Sequence, residues 1–262
     1  MFSYFGSKSK IVKYYPKPLY DIIIEPFAGS AQYAFLYWQK QVILIEKYER
    51  IYDVWDFLIN EATPDFIMSL PLFKQGEKIV YSNSVVRDLI ALESSMGQIG
   101  SHLKAGGGNY NRWAEPIRDL IALESCRGAE GAPRPSAAKF NRWSAKDGRG
   151  RKRIADNLHK IKHWKIIHGD YSLAPNIEAT WFVDPPYYNK AGLSYKHNCM
   201  DIDYEKLGQW CRDRQGQVIV CEELGSSWLP FKYFMEGKGQ SAGKRKEIFY
   251  EGIWTNTDDE KS

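Results

Sequence analysis

Short apolar runs bounded by turn residues recur along this chain, and amphipathic stretches separate several of them. Residues 20–24 form the first run, followed by the turn Glu25-Pro26-Phe27-Ala28-Gly29-Ser30 and a helix expected over 31–39. Gln41-Val42-Ile43-Leu44-Ile45-Glu46 is a second strand that ends in a carboxylate. Residues 164–168 predict a third strand, running into Gly169-Asp170-Tyr171, and 180–183 predict a fourth. A helix over 204–214 leads to a fifth strand at 216–221, and 247–254 reads as a late strand. Strands alternating with helices predict an α/β fold: a Rossmann-like, doubly wound, mostly parallel sheet.

The pattern changes in the middle. Arg87-Asp88-Leu89-Ile90-Ala91-Leu92-Glu93-Ser94 recurs residue for residue at 118–125, and Asn111-Arg112-Trp113 recurs as Asn141-Arg142-Trp143. Eight identical residues mark a duplicated unit of about 30, with a short amphipathic helix, a Gly-rich loop and an Asn-Arg-Trp in each copy. Two copies are too few for a solenoid, so an inserted, partly helical module is expected. Residues 1–72 and 160–262 then form the α/β domain, and 73–159 the insert. Charge follows the same division. Residues 81–165 hold 16 Lys and Arg against 8 Asp and Glu, a net +8 within a chain of net +4, which leaves −4 elsewhere. A basic segment on a mildly acidic body fits a polyanion-binding element or a solvated loop.

The length of 262 residues accommodates one large α/β domain with an insert. No apolar run approaches the roughly 20 residues of a membrane span, and residues 1–10 lack the apolar core of a signal peptide. Contact with a membrane is therefore not expected. Cys126, Cys199, Cys211 and Cys221 are scattered without a Cys-x-x-Cys pair, so reduced cytosolic thiols are expected and a zinc site is not.

The candidate chemistry gathers at the expected strand ends. Asp184-Pro185-Pro186-Tyr187 stops the fourth strand, because neither proline can donate to a sheet ladder. A carboxylate, free carbonyls and a ring are thus presented together at a sheet edge where ligands bind. Such a group suits a flat, amino-bearing nucleobase; a plain strand-terminating turn would look the same. In the turn from Glu25 to Ala31, small residues let the backbone approach a ligand and the following helix adds its dipole. Glu46 ends the second strand, where a carboxylate can accept both hydroxyls of a ribose. Asp170 and Tyr171 can hold an adenine amino group, or simply cap a turn. The Gly-x-Gly-x-x-Gly fingerprint of nicotinamide folds is missing, and Tyr4-Phe5-Gly6-Ser7-Lys8-Ser9-Lys10 is not a nucleoside-triphosphate loop. Arg149, Arg151, Lys152 and Arg153 form the densest cationic run and suit phosphate contacts. Arg112 and Arg142 read base edges if their Asn-Arg-Trp units face DNA, and flank core tryptophans if not.

Taken together, Tyr4 to Lys10, Glu25 to Ala31, Glu46, Gly169-Asp170-Tyr171 and Asp184 to Tyr187 resemble the N6-adenine DNA methyltransferases of the Dam-like class, in particular the small phage and prophage type. The order of cofactor segment, recognition insert and Asp-Pro-Pro-Tyr is that family's α arrangement. The resemblance covers nearly the whole chain outside the duplicated middle. It implies a class I methyltransferase fold and S-adenosylmethionine as cofactor, held by Tyr4, Lys8, Glu25, Phe27, Ala28, Gly29, Glu46, Asp170 and Tyr171. It also implies Asp184, Pro185, Pro186 and Tyr187 as the catalytic group. Asp184 and the Pro185 carbonyl would accept the N6 hydrogens of a flipped adenine while Tyr187 stacks on it, and direct in-line methyl transfer would need no metal. Tyr188, Tyr195 and His197 would line the extrusion path. Ala31 departs from the family, standing where a second glycine is frequent, and Glu46 replaces the commoner aspartate. The implied partner is double-stranded DNA in the cytoplasm of a bacterium or phage-infected host, with a monomer as default and a partner nuclease left open. The alternatives are an RNA adenine methyltransferase on the same fold and a non-catalytic nucleic-acid-binding protein on a decayed scaffold.

Overall fold

In the computed structural model, residues 1–2, 4, 7–72, 81–94, 145–189, 192–238 and 248–257 are described. Arg112, Arg142 and the second copy of the repeat lie outside them. So do Phe5 and Gly6 of the N-terminal segment.

Seven strands make one mixed sheet: β1 (Ile22–Glu25), β2 (Gln41–Glu46), β3 (Lys165–His168), β4 (Ala179–Val183), β5 (Gly216–Glu223), β6 (Lys232–Lys238) and β7 (Ile248–Thr255). Their spatial order is β3-β2-β1-β4-β5-β7-β6. The first five run parallel, and β7 inserts antiparallel to both β5 and β6. The α/β, mostly parallel architecture matches expectation. The edge strand β6 was not anticipated: its apolar run is only Tyr233-Phe234-Met235 between the exposed Lys232 and Glu236, Tyr233 itself is exposed, and the register shifts near Tyr233.

Alternation along each strand separates two cores. Ile23, Leu44, Phe182 and Ile219 face one side, where they meet α1 (Gln32–Leu36), α2 (Glu49–Asp56), α3 (Pro64–Ser69), α4 (Ser84–Ser94) and α5 (Ala145–Asn157). Ile24, Ile45, Trp181, Val183 and Val220 face the other, against Leu207 and Cys211 of α6 (Tyr204–Arg212). A sheet buried on both faces explains the apolar runs that predict its strands. Helix α1 holds five residues where nine were expected, too short for the dipole contribution anticipated at its N-terminus.

Both described ends of the 73–159 segment belong to the first core. In α4, which is the first copy of the repeat, Leu89, Ile90, Ala91 and Leu92 are fully buried. Asp88 on the same helix pairs with Arg50 of α2, with Arg50 Nε 2.7 Å from its carboxylate. Across from α4, Ile154 and Ala155 of α5 are also buried.

The cationic run lies on α5, and much of it is engaged within the protein. Arg153 reaches the fully buried Glu93 carboxylate at 2.7 Å, Arg151 donates to the Leu70 carbonyl, and Lys152 pairs with Asp156 at 2.8 Å. Arg149 is exposed. Removing Arg153 takes one charged partner from a buried carboxylate. Arg153→Ala is therefore expected to lower unfolding free energy by about 1–2 kcal/mol, whereas Arg149→Ala stays within about 0.5 kcal/mol. Urea denaturation of the two variants measures the difference.

Candidate active site

The strand order reverses between β1 and β4, and at such a switch point the outgoing loops diverge and leave a crevice beyond the strand ends. The β1–α1 turn forms its floor. Gly29 takes φ +44° and Ala31 φ +43°, both in the left-handed region. At Ala31 a Cβ in this region costs about 1–2 kcal/mol relative to glycine. The turn is clamped from outside. Gly29 N–H donates to Glu46 Oε2 at 3.0 Å, Ala28 N–H donates to the Ile45 carbonyl at 3.0 Å, and the Gly29 carbonyl accepts Trp55 Nε1 at 2.8 Å.

The other Glu46 oxygen accepts Tyr48 N–H at 2.8 Å. Burial pushes the Glu46 carboxyl up to about 7, against the pull of these backbone donors. Glu25 does not line the cleft, although it was expected to contact cofactor. It sits under the turn and accepts Ala34 N–H at 2.6 Å, which caps α1 where Ala31, at the N-cap, has no polar side chain to do so. Burial raises Glu25 to about 8.

Above this floor opens a cleft of about 260 Å³. It brings together Tyr4, Lys8, Phe27, Ala28, Gly29, Glu46, Asp170 and Tyr171, all expected cofactor residues, with Asp184 and Pro186 of the Asp-Pro-Pro-Tyr segment. Phe27 and Tyr171 stack with centroids 5.5 Å apart at 29°. Asp170 both lines the cleft and caps the turn Tyr171–Leu173, accepting Ser172 N–H at 3.2 Å, while Lys47 lies 3.2 Å from its other oxygen. Tyr195 and His197 also line the cleft; burial first, then Lys47, lower the His197 pKa. Tyr188 is exposed, its N–H donating to Glu222 Oε2 at 3.3 Å.

At the inner end, Lys8 Nζ sits 3.2 Å from Asp184 Oδ1 and 3.0 Å from Glu251 Oε1. Burial works against its charge, but the two carboxylates outweigh that and raise its pKa. Asp184 is raised by burial to about 6, with Lys8 pulling the other way. Pro185 is buried, and the Pro186 carbonyl accepts the Tyr204 hydroxyl. Tyr187 lies behind the cleft lining. Its hydroxyl accepts from Lys8 and donates to Glu251 at 2.5 Å, and the ammonium lies 4.3 Å from its ring centroid. The ring expected to stack on a base lies against the Lys8 ammonium.

No protein-family model and no curated protein matches this chain. Its site is therefore read from its own geometry. Two members were not foreseen from the sequence: Glu251, in the middle of β7, and Tyr15, whose hydroxyl donates to Glu251 at 2.5 Å. A carboxylate inside an otherwise apolar and aromatic strand was the available signal for Glu251. Nothing local marks Tyr15.

A Cβ at Gly29 would lie 3.2 Å from the Tyr4 ring, on a backbone that already disfavours a side chain. Gly29→Ala is expected to destabilise the protein by about 1–2 kcal/mol and to displace Tyr4 into the cleft. Thermal unfolding and a crystal structure of the variant check both effects.

Proposed function

We propose that this chain is a site-specific DNA methyltransferase that moves a methyl group from S-adenosylmethionine to N6 of an adenine flipped out of double-stranded DNA. The observation that carries this reading is Asp184. It is a carboxylate at the end of β4, side by side with an ammonium, opening into the same cleft as Glu46 and the Phe27–Tyr171 pair. The residues fit such a cofactor by the chemistry of their donors and by their shape. A carboxylate, stacked rings and a close-packed glycine turn line one cleft, and a Cβ on Gly29 would crowd it.

When bound, S-adenosylmethionine supplies a methyl group activated by a sulfonium. Backbone N–H groups of Gly29 and Tyr48 anchor the two oxygens of Glu46, whose remaining acceptor capacity can take ribose hydroxyls. Phe27 and Tyr171 offer flat apolar surface to a purine, with Asp170 beside them to accept an amino group.

At the other end, the N6 amino group of adenine is a poor nucleophile because its lone pair is delocalised into the ring. Asp184, accepting the N6 hydrogens, favours a tetrahedral nitrogen and balances the positive charge that develops there. Lys8 holds the carboxylate in place and opposes the effect of burial on its ionisation. Tyr187 contributes through its hydroxyl, which fixes Lys8 from the opposite side.

The deciding experiment is transfer of labelled methyl from S-adenosylmethionine to unmethylated genomic DNA, with RNA and protein as parallel acceptors. N6-methyladenine in DNA is expected, with a loss of about 100-fold or more in Asp184→Ala. Label in RNA alone would overturn the substrate, and no label in any acceptor would overturn the reaction.

The acceptor must be ionised and its carboxyl sits near 6. Activity is therefore full well above that pH and falls about tenfold per unit below it. A profile of kcat/KM for DNA against pH, at saturating cofactor, reads this limb. The Glu46 carboxyl, near 7, is read separately in cofactor affinity.

A further inference from the structure

Glu251 is a charged residue with no exposed surface, placed on the antiparallel strand β7 rather than at a parallel strand end. Three donors converge on its Oε1: the Lys8 ammonium at 3.0 Å, the Tyr15 hydroxyl at 2.5 Å and the Tyr187 hydroxyl at 2.5 Å. Its Oε2 has no hydrogen-bond partner among the described residues. A carboxylate buried for stability alone would use both oxygens, because an unsatisfied buried acceptor is costly. Here all the bonding is on the side facing Lys8. Tyr15 is itself fixed, stacked on Phe234 at 4.5 Å and edge-on to Phe182 at 5.2 Å. Glu251 is therefore tethered on a rigid background.

We infer that Glu251, oriented by Tyr15, is a positioning residue that fixes the Lys8 ammonium between itself and Asp184 and so sets both the place and the ionisation of the reactive carboxylate. The inference rests on the methyl-transfer reading for its functional meaning. Two carboxylates share one ammonium, which leaves Asp184 with part of the stabilisation a private ion pair would give. The groups acting on Asp184 are Lys8 from the N-terminal segment, Glu251 from β7 and Tyr187 from its own loop. Glu25 of β1, Tyr15, Tyr195, Cys221 and Glu222 also feel its charge. Of these, Glu251 is the anion that shares the Lys8 ammonium with Asp184, and its charge raises the Asp184 pKa.

The test is a carbon-13 titration of aspartate-labelled protein without cofactor or DNA, with the Asp184 signal assigned by its loss in Asp184→Asn. In the native chain the Asp184 midpoint is expected near 6. Glu251→Gln removes a like charge and leaves Lys8 to Asp184 alone, so the midpoint falls by about one pH unit or more. In the transfer assay the same variant moves the acid limb of kcat/KM for DNA to lower pH and lowers the plateau of kcat about tenfold, while cofactor affinity stays within about twofold. Tyr15→Phe keeps the ring and deletes one donor to Glu251. It is expected to lower kcat several-fold with cofactor affinity unchanged, and carries the test if Glu251→Gln does not fold. An unshifted Asp184 midpoint in Glu251→Gln, or unchanged kcat in Tyr15→Phe, overturns the positioning role. The titration needs no methyl transfer, so a shifted midpoint with no transfer in the native chain would overturn the proposed function and leave the electrostatic coupling standing.

Discussion

One ammonium ties this structure together. Lys8 comes from a segment ahead of the first strand, Asp184 from the end of a central strand and Glu251 from an antiparallel strand near the other end of the chain. Bringing three charges out of water costs several kcal/mol for each ion unless geometry and hydrogen bonds compensate. The compensation comes from the two tyrosine hydroxyls and from contacts near 3 Å. Removing Lys8 would leave the Asp184 and Glu251 carboxylates without their counter-charge, so the N-terminal segment, β4 and β7 are fixed relative to one another at the point where the chemistry is proposed.

The sheet decides where that point lies. Parallel strands β1 and β4 send their loops to opposite faces, and the crevice between them is bounded by Gly29 on one side and Asp184 on the other. The turn at Gly29 and Ala31 is strained, and strain of this kind persists only where neighbours over-determine it. Glu46 and Trp55 do so here, one from the end of β2 and one from α2. Glu46 thus has two tasks, holding the turn and offering its remaining lone pairs to the cleft, and the glutamate supplies both backbone bonds at ordinary distances.

The basic middle of the chain takes on a different meaning once it is folded. Charge density along the sequence makes residues 149–153 look like a phosphate track, yet Arg151 and Arg153 reach back to Leu70 and Glu93. A cation on a helix beside the body meets buried carbonyls and carboxylates before it meets a partner. Net charge along a segment therefore overstates how much positive surface it presents.

What the sequence determined by itself is the framework and the strand-end chemistry. Strands at 41–46 and 179–183 were legible because parallel strands buried on two faces read as apolar runs; the edge strand at 165–168 was legible from a shorter run, Ile166-Ile167 beside Trp164. Asp184, Glu46 and the Gly29 turn were legible because each punctuates such a run. The edge strand β6 was not, since its run is only Tyr233-Phe234-Met235, with Tyr233 exposed, between the exposed Lys232 and Glu236. The tertiary structure alone decided that Tyr187 turns its hydroxyl inward to Lys8, that Glu25 lies under the turn as a cap, and that Tyr15 and Glu251 complete the site. Tyr15 and Glu251 are 236 residues apart in the chain. Local pattern reports which face of an element is buried; it carries no information on which distant polar group that face will meet. For a buried carboxylate, that partner sets both the charge it keeps and the work it can do.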